Sequence, residues 1–254
     1  MNLQKIFRYF IRAKVLFLFT FSEFCDIISS PIGGYMEVLI DNDLNELDKL
    51  DYLGSGMEGM VYRYYDEAIK VYKTDCSKYI LDVDTASRLS LIETSRILLP
   101  RRIVYSPEDG SFLGYTTKYI EKGPKSDVFR KNVNRFCDEL DVLRDDITLL
   151  SNDKVLLEDL IIGNTVFNNG SIFLIDPGSY RFINGSEDDV LYSNLWEFRD
   201  FIAYDLLGSV AYSRRRKELI KEIFLGYEMD VCDIMRETTT VGETVKQYVK
   251  RITK

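Results

Sequence analysis

Alternation with a period of two organises the chain from Asp51 to Lys73. Leu53 leads into a glycine-rich stretch, Met60-Val61-Tyr62-Arg63-Tyr64 reads as a strand, Tyr65-Asp66-Glu67 as a turn, and Ala68-Ile69-Lys70-Val71-Tyr72 as the returning strand. A second hairpin is predicted from Arg102-Ile103-Val104-Tyr105 and Phe112–Thr117, joined through Pro107-Glu108-Asp109-Gly110. Between the two hairpins the period lengthens. Ile80, Leu81, Val83, Ala86, Leu89, Ile92 and Ile97-Leu98 predict one helix over Ser77–Leu99, ended by Pro100. Lys118 to Pro124 reads as a linker. Beyond it, Asp127–Leu150 carries Val128, Val133, Phe136, Leu140, Leu143 and Ile147 on one helical face. A loop from Val155, a turn at Asn168-Asn169-Gly170 and a strand Ile172–Ile175 follow. Leu191–Val210 predicts a central buried helix, and Lys217–Met229 and Val241–Ile252 predict two amphipathic ones.

Composition narrows the chemistry. The chain has 254 residues, 46% hydrophobic and 29% charged, enough apolar surface for a packed core. Its formal net charge of −8 argues against nonspecific nucleic-acid binding, which needs cationic surface to displace counterions from phosphates. The one basic run, Arg214-Arg215-Arg216-Lys217, reads as the solvated first turn of a helix. Four isolated cysteines without a CxxC pair fit a reducing cytoplasm better than a disulfide framework or a zinc site. There is no histidine, which excludes Ser-His-Asp and Cys-His nucleophile systems and histidine–metal sites. Acid–base work falls to carboxylates, Lys, Tyr or Cys.

The first 35 residues differ from the rest. Lys5, Arg8, Arg12 and Lys14 against Glu23 and Asp26 give +4 − 2 = +2, leaving −10 for residues 36–254. The apolar run Val15–Phe21 is too short to span a bilayer, so no stable membrane insertion is expected. A signal peptide would need small residues at a cleavage site, and only Ser29-Ser30 offers them. Two readings stay open. One is an amphipathic N-terminal helix. The other is untranslated upstream sequence with the start at Met36, because Ile32-Gly33-Gly34-Tyr35-Met36 can be encoded with AGGAGG just before the methionine codon, the layout of a bacterial ribosome-binding site.

Four short motifs stand in one order. They are Gly54-Ser55-Gly56-Met57-Glu58-Gly59-Met60-Val61, Ala68-Ile69-Lys70, Asp159-Leu160-Ile161-Ile162-Gly163-Asn164 and Ile175-Asp176-Pro177-Gly178. Each alone is weak; the order and spacing carry the signal. Glycines let backbone lie close over phosphates and offer N–H groups without a Cβ in the way. A dinucleotide-binding fingerprint would need a helix to start within the motif, whereas Val61, Arg63 and the turn at Asp66 favour a hairpin. From Leu47 to Tyr180 the chain resembles the protein-kinase-like superfamily, as a divergent bacterial member.

That resemblance implies an α+β, two-lobed protein-kinase-like fold. Its parts would be a nucleotide-binding lobe over residues 36–120, with an antiparallel sheet and one helix, and a mostly helical catalytic lobe over 121–254, preceded by the atypical 1–35. It implies an ATP-dependent phosphotransferase acting on a hydroxyl of a protein or small molecule, with Mg²⁺ as cofactor and a cytoplasmic location. Asp159 would orient the acceptor hydroxyl, and Asn164 and Asp176 would hold the metal. Lys70, held by Glu93 on the predicted helix, would contact the phosphates. Gly54, Ser55, Gly56 and Gly59 would cover those phosphates, with Val61, Ala68, Thr117 and the backbone near Lys118 and Ile120 around the adenine. The chain departs from the family pattern in several places. Leu157-Glu158 stand where His-Arg is usual, Ile161 replaces a lysine with only Arg181 nearby as a substitute cation, Glu58 replaces an aromatic tip, Pro177 replaces an aromatic, and no Ala-Pro-Glu follows. These departures keep a rival reading open: a pseudokinase that binds nucleotide as a scaffold without turnover.

Overall fold

A computed structural model describes residues 37–73, 80–211, 213–225 and 230–254. The expectations for residues 1–35, for a start at Met36 and for the beginning of the helix at Ser77 lie outside these residues. The described part is mixed α/β: a curled antiparallel sheet, then a helical half.

The sheet has seven strands in the order β2-β1-β6-β7-β5-β4-β3. They are β1 (Glu37–Ile40), β2 (Asp43–Glu46), β3 (Asp51–Ser55), β4 (Gly59–Tyr64), β5 (Glu67–Tyr72), β6 (Arg102–Tyr105) and β7 (Phe112–Lys118). Both predicted hairpins are present at their predicted places. The β1–β2 hairpin was not expected from the alternation, because β2 is polar and short. Its signal is the turn Asp41-Asn42, whose φ values of 53° and 71° are the left-handed pair that a two-residue hairpin loop requires. Cross-strand partners share a face, so Val61–Lys70–Tyr115 and Arg63–Ala68–Thr117 stand together. The opposite face buries Ile69 and Val71 with Val38, Ile40, Leu47 and Val104 in a small core of its own.

The helix predicted over Ser77–Leu99 is shorter than expected: α1 is Val83–Leu89, capped where Asp82 accepts the Thr85 N–H at 2.8 Å. Past its end the backbone donors turn to other partners. The N–H groups of Ser95, Arg96 and Ile97 donate to buried Asp146 at 2.9, 2.6 and 3.0 Å, and Leu98 N–H donates to the Leu174 carbonyl. Residues 95–98 are therefore not helical: the chain bends at Ser95 and Arg96, and Ile97 bridges to Leu174. The apolar residues at helical spacing do reach the core, through a different backbone path.

In the helical half, the predicted helix over Asp127–Leu150 is two: α2 (Lys125–Phe129) and α3 (Val133–Asn152). Asn132 divides them, accepting the Arg135 N–H at 2.9 Å as the cap of α3. Then come β8 (Val155–Leu156), the hairpin β9 (Thr165–Asn168) and β10 (Ser171–Leu174), and β11 (Arg181–Phe182), which pairs with β8. The segment predicted as one buried helix over Leu191–Val210 is α4 (Glu187–Asp200) continued by a π-helical turn over Phe201–Leu207. The basic run opens α5 (Arg214–Leu225), as expected. α6 (Val231–Thr238) was not anticipated, and α7 (Val245–Ile252) begins later than predicted, at a Thr244–Gln247 capping box. Phe136, Leu140, Leu143 and Ile147 of α3 pack with Phe198, Phe201, Phe224 and Tyr248 in the main core, which also takes in Tyr72 and Tyr115 of the sheet. The sheet face that carries Lys70 is thus the one turned to the helical half. No helix among the described residues is long and apolar enough to cross a membrane.

Candidate functional site

Register places Lys70 before any tertiary contact does. It is central in β5, between Val61 of β4 and Tyr115 of β7, with only 11% of its side chain exposed. Gly114 opposite Val71 admits no side chain, since a Cβ there would meet the Lys70 carbonyl at 1.9 Å, and its φ of 158° is itself a backbone conformation that residues with a side chain rarely adopt. Gly59 is equally tight, with its would-be Cβ 2.4 Å from the Val71 carbonyl. This glycine is needed for strand packing.

Opposite, the loop between β8 and β9 is pinned from below. Buried Asn194 of α4 accepts the Leu157 N–H at 2.8 Å and donates to Val155 O and Ser151 Oγ. Ser179 Oγ donates to the Glu158 carbonyl at 2.9 Å, and Asp205 accepts the Ile162 N–H at 3.2 Å. Between these anchors Asp159 is exposed with φ 59°, in the left-handed region. Asn164 closes the loop: its Nδ2 donates to the Asp159 carbonyl at 3.2 Å, and its own carbonyl accepts the Ile175 N–H at 2.8 Å. With the amide nitrogen so used, Oδ1 is the atom left to ligate or accept. Asp176 follows Ile175 with φ 66° and caps the turn Pro177–Ser179 through Gly178 N–H. Left-handed backbone at two non-glycine residues costs of order 1 kcal/mol each and is sustained by these clamps.

The two halves meet at Asp176. Lys70 Nζ donates to Asp176 Oδ1, to which Tyr115 OH also donates at 3.3 Å. Lys70 Nζ donates as well to Glu58 Oε2 at 2.7 Å, from the glycine-rich turn between β3 and β4. Burial, reinforced by Asp176, drives the Tyr115 hydroxyl well above its ordinary pKa, so it stays a donor. Tyr180, buried beneath, is raised by burial and then by the charges of Asp176 and Asp159, which places both carboxylates within its electrostatic reach. Below the loop, burial and then Asp200, Asp159 and Glu158 hold the Glu197 carboxyl up to about 7, although the Leu160 N–H donates to it.

The structure therefore brings together Lys70, Asp176, Asn164 and the Asp159 loop, all singled out in the sequence. Val61, Ala68 and Thr117 share the sheet face of Lys70, with Lys118 and Ile120 at and beyond its edge. Glu93 is a correction. It lies past the end of α1, lining a surface hollow of about 530 Å³ with Leu91, Leu149 and Asp153, and the carboxylates on Lys70 are those of Glu58 and Asp176. The helix ends at Leu89, and the chain that follows, held at Ser95–Ile97 by Asp146, leaves Glu93 off it. Arg181 is also committed, donating to Glu158 Oε1 at 2.5 Å. Tyr115 was missed, although it stands two positions before Thr117 in a strand, hence on the Lys70 face. Glu58 was visible in the sequence only as a departure. Compared with known proteins, the chain matches no family model and no curated protein.

Proposed function

We propose that the protein is an ATP-dependent phosphotransferase of the two-lobed protein-kinase-like fold, with the sheet half as nucleotide-binding lobe and the helical half as catalytic lobe. The observation that carries this reading is the meeting of Lys70 and Asp176, 106 residues apart in sequence, beneath the glycine-rich turn and beside the Asp159–Asn164 loop. A largely buried ammonium held by two carboxylates is a cation that a phosphate can bond in place of one of them.

The donor set fits magnesium. Asp176 and the Asn164 amide offer hard oxygens, and an ion that keeps several waters needs few protein ligands. Bound there with the nucleotide, magnesium would neutralise phosphate charge. The protein's own contributions are positional. Lys70 supplies a point cation on a fixed strand for the phosphates. Asp159, exposed at the loop's apex, accepts the acceptor hydroxyl's hydrogen bond and takes its proton as the phosphoryl group transfers. The acceptor is an alcohol on a protein or small molecule. The rival reading, nucleotide binding without turnover, draws on the departures at Leu157, Glu158 and Ile161. Among these, Glu158 bonded to Arg181 leaves that arginine a structural partner in place of a cation for the phosphates.

Magnesium-dependent ATP consumption separates the two. The native protein turns ATP over, and Asp159→Asn lowers the rate by about 10²- to 10⁴-fold while ATP affinity holds. Equal ATP binding by both with turnover by neither establishes the scaffold; binding by neither ends the nucleotide reading.

A further inference from the structure

Glu58 is the one charged residue of the Gly54–Val61 motif, and it points inward. The turn that carries it is latched. Gly56 N–H donates to the Gly59 carbonyl at 2.9 Å, Lys73 N–H to the Glu58 carbonyl at 2.8 Å, and Lys73 Nζ to the Gly56 carbonyl at 2.8 Å. From this frame the Glu58 carboxylate reaches Lys70 Nζ at 2.7 Å, with 27% of its side chain exposed. It also approaches the Asp176 turn: a Cβ added to Gly178 would stand 3.0 Å from Glu58 Oε2 and 3.1 Å from Asp176 Oδ1. The carboxylate thus fills the space shared by the turn, the strand ammonium and Gly178.

That is the space in which phosphates would meet Lys70, and one position beside the ammonium cannot hold two anionic oxygens. A carboxylate kept beside a polyphosphate is also repelled by it. We propose that Glu58 determines the affinity and selectivity of the site by competing with the phosphates for Lys70, so that a nucleotide enters by displacing it. The inference rests on the nucleotide reading above. Glu58 keeps the Lys70 cation satisfied before ligand arrives, and only a ligand with enough negative charge repays its removal. Adenosine, which brings no phosphate, has no reason to move it.

Calorimetric titration of magnesium-ATP and, separately, adenosine into the full chain tests this, using the native protein, Glu58→Gln and Glu58→Ala. Removing a competing charge-assisted hydrogen bond is expected to tighten ATP about tenfold in both variants, with adenosine unchanged. The Gln variant keeps the side chain's shape, so a gain there isolates charge from volume. ATP binding that is equal or weaker in the variants overturns the competition and leaves the nucleotide reading standing, as does a gain shared equally by adenosine. No binding of either ligand by any of the three proteins overturns the nucleotide reading and the inference with it.

Discussion

Lys70 and Asp176 meet at one point, yet the two halves of the molecule bring them there by different means. Lys70 is delivered by register: β5 is paired on both sides, and every neighbour of the lysine on its face follows from alternation. Asp159 and Asp176 are delivered by turns, both with left-handed backbone at a residue that bears a side chain. Ladder hydrogen bonds are local and redundant. The turns depend on single polar groups, buried Asn194 and half-buried Asp205 beneath the loop and buried Asp146 behind the segment that flanks Leu174. The sheet side should therefore tolerate single substitutions away from Lys70 and from the close-packed Gly59 and Gly114, and the clamping residues of the helical side should not.

The sharpest break comes from the meeting point itself. Lys70→Met and Asp176→Asn are each expected to lower magnesium-dependent ATP turnover by roughly 10³-fold, with the fold intact by circular dichroism. Retention of turnover in either variant would separate the halves functionally. Next in size is Asp146→Ala, which strands the N–H groups of Ser95, Arg96 and Ile97 and should cost about 3 kcal/mol in urea unfolding. Asn194→Ala leaves the Leu157 N–H and the Val155 carbonyl without their partner and should cost about 2 kcal/mol, with turnover falling more than ATP affinity.

A smaller effect concerns pH. The Glu197 carboxyl is raised to about 7 from an ordinary value of 4.5, so the folded state binds the extra proton between those values. Its contribution is favourable while the group is protonated and is lost as pH rises from about 4.5 through about 7. Glu197→Gln should therefore flatten the decline of Tm across that window and exceed the native protein at pH 8, a comparison that thermal melts at pH 5 and 8 would make. Smallest is Glu93→Ala, expected to change turnover by less than about twofold because Glu93 lies away from Lys70.

The same contrast governs what the sequence made legible. Period-two alternation sufficed for β4, β5, β6 and β7, and so for Lys70, because a strand's faces follow from counting. Asn169-Gly170, both at positive φ, made the β9–β10 hairpin readable, and with it the exit at Asp176. The segment after Leu89 was not readable. Its apolar spacing is helical, and the decisive partner, Asp146, lies some fifty residues away on another helix. Glu93 was misassigned for that reason. Glu58 was conspicuous in the motif, but its bond to Lys70 spans the bend of a loop whose path no periodicity encodes. Tyr115 needed only the register already in hand.

A crystal structure with magnesium and a non-hydrolysable ATP analogue tests the central claim most directly. The account predicts phosphate oxygens within hydrogen-bond distance of Lys70 Nζ, the metal on Asp176 and Asn164, and Glu58 withdrawn from the lysine. Nucleotide bound elsewhere, with Lys70 still closed on Glu58 and Asp176, would contradict it.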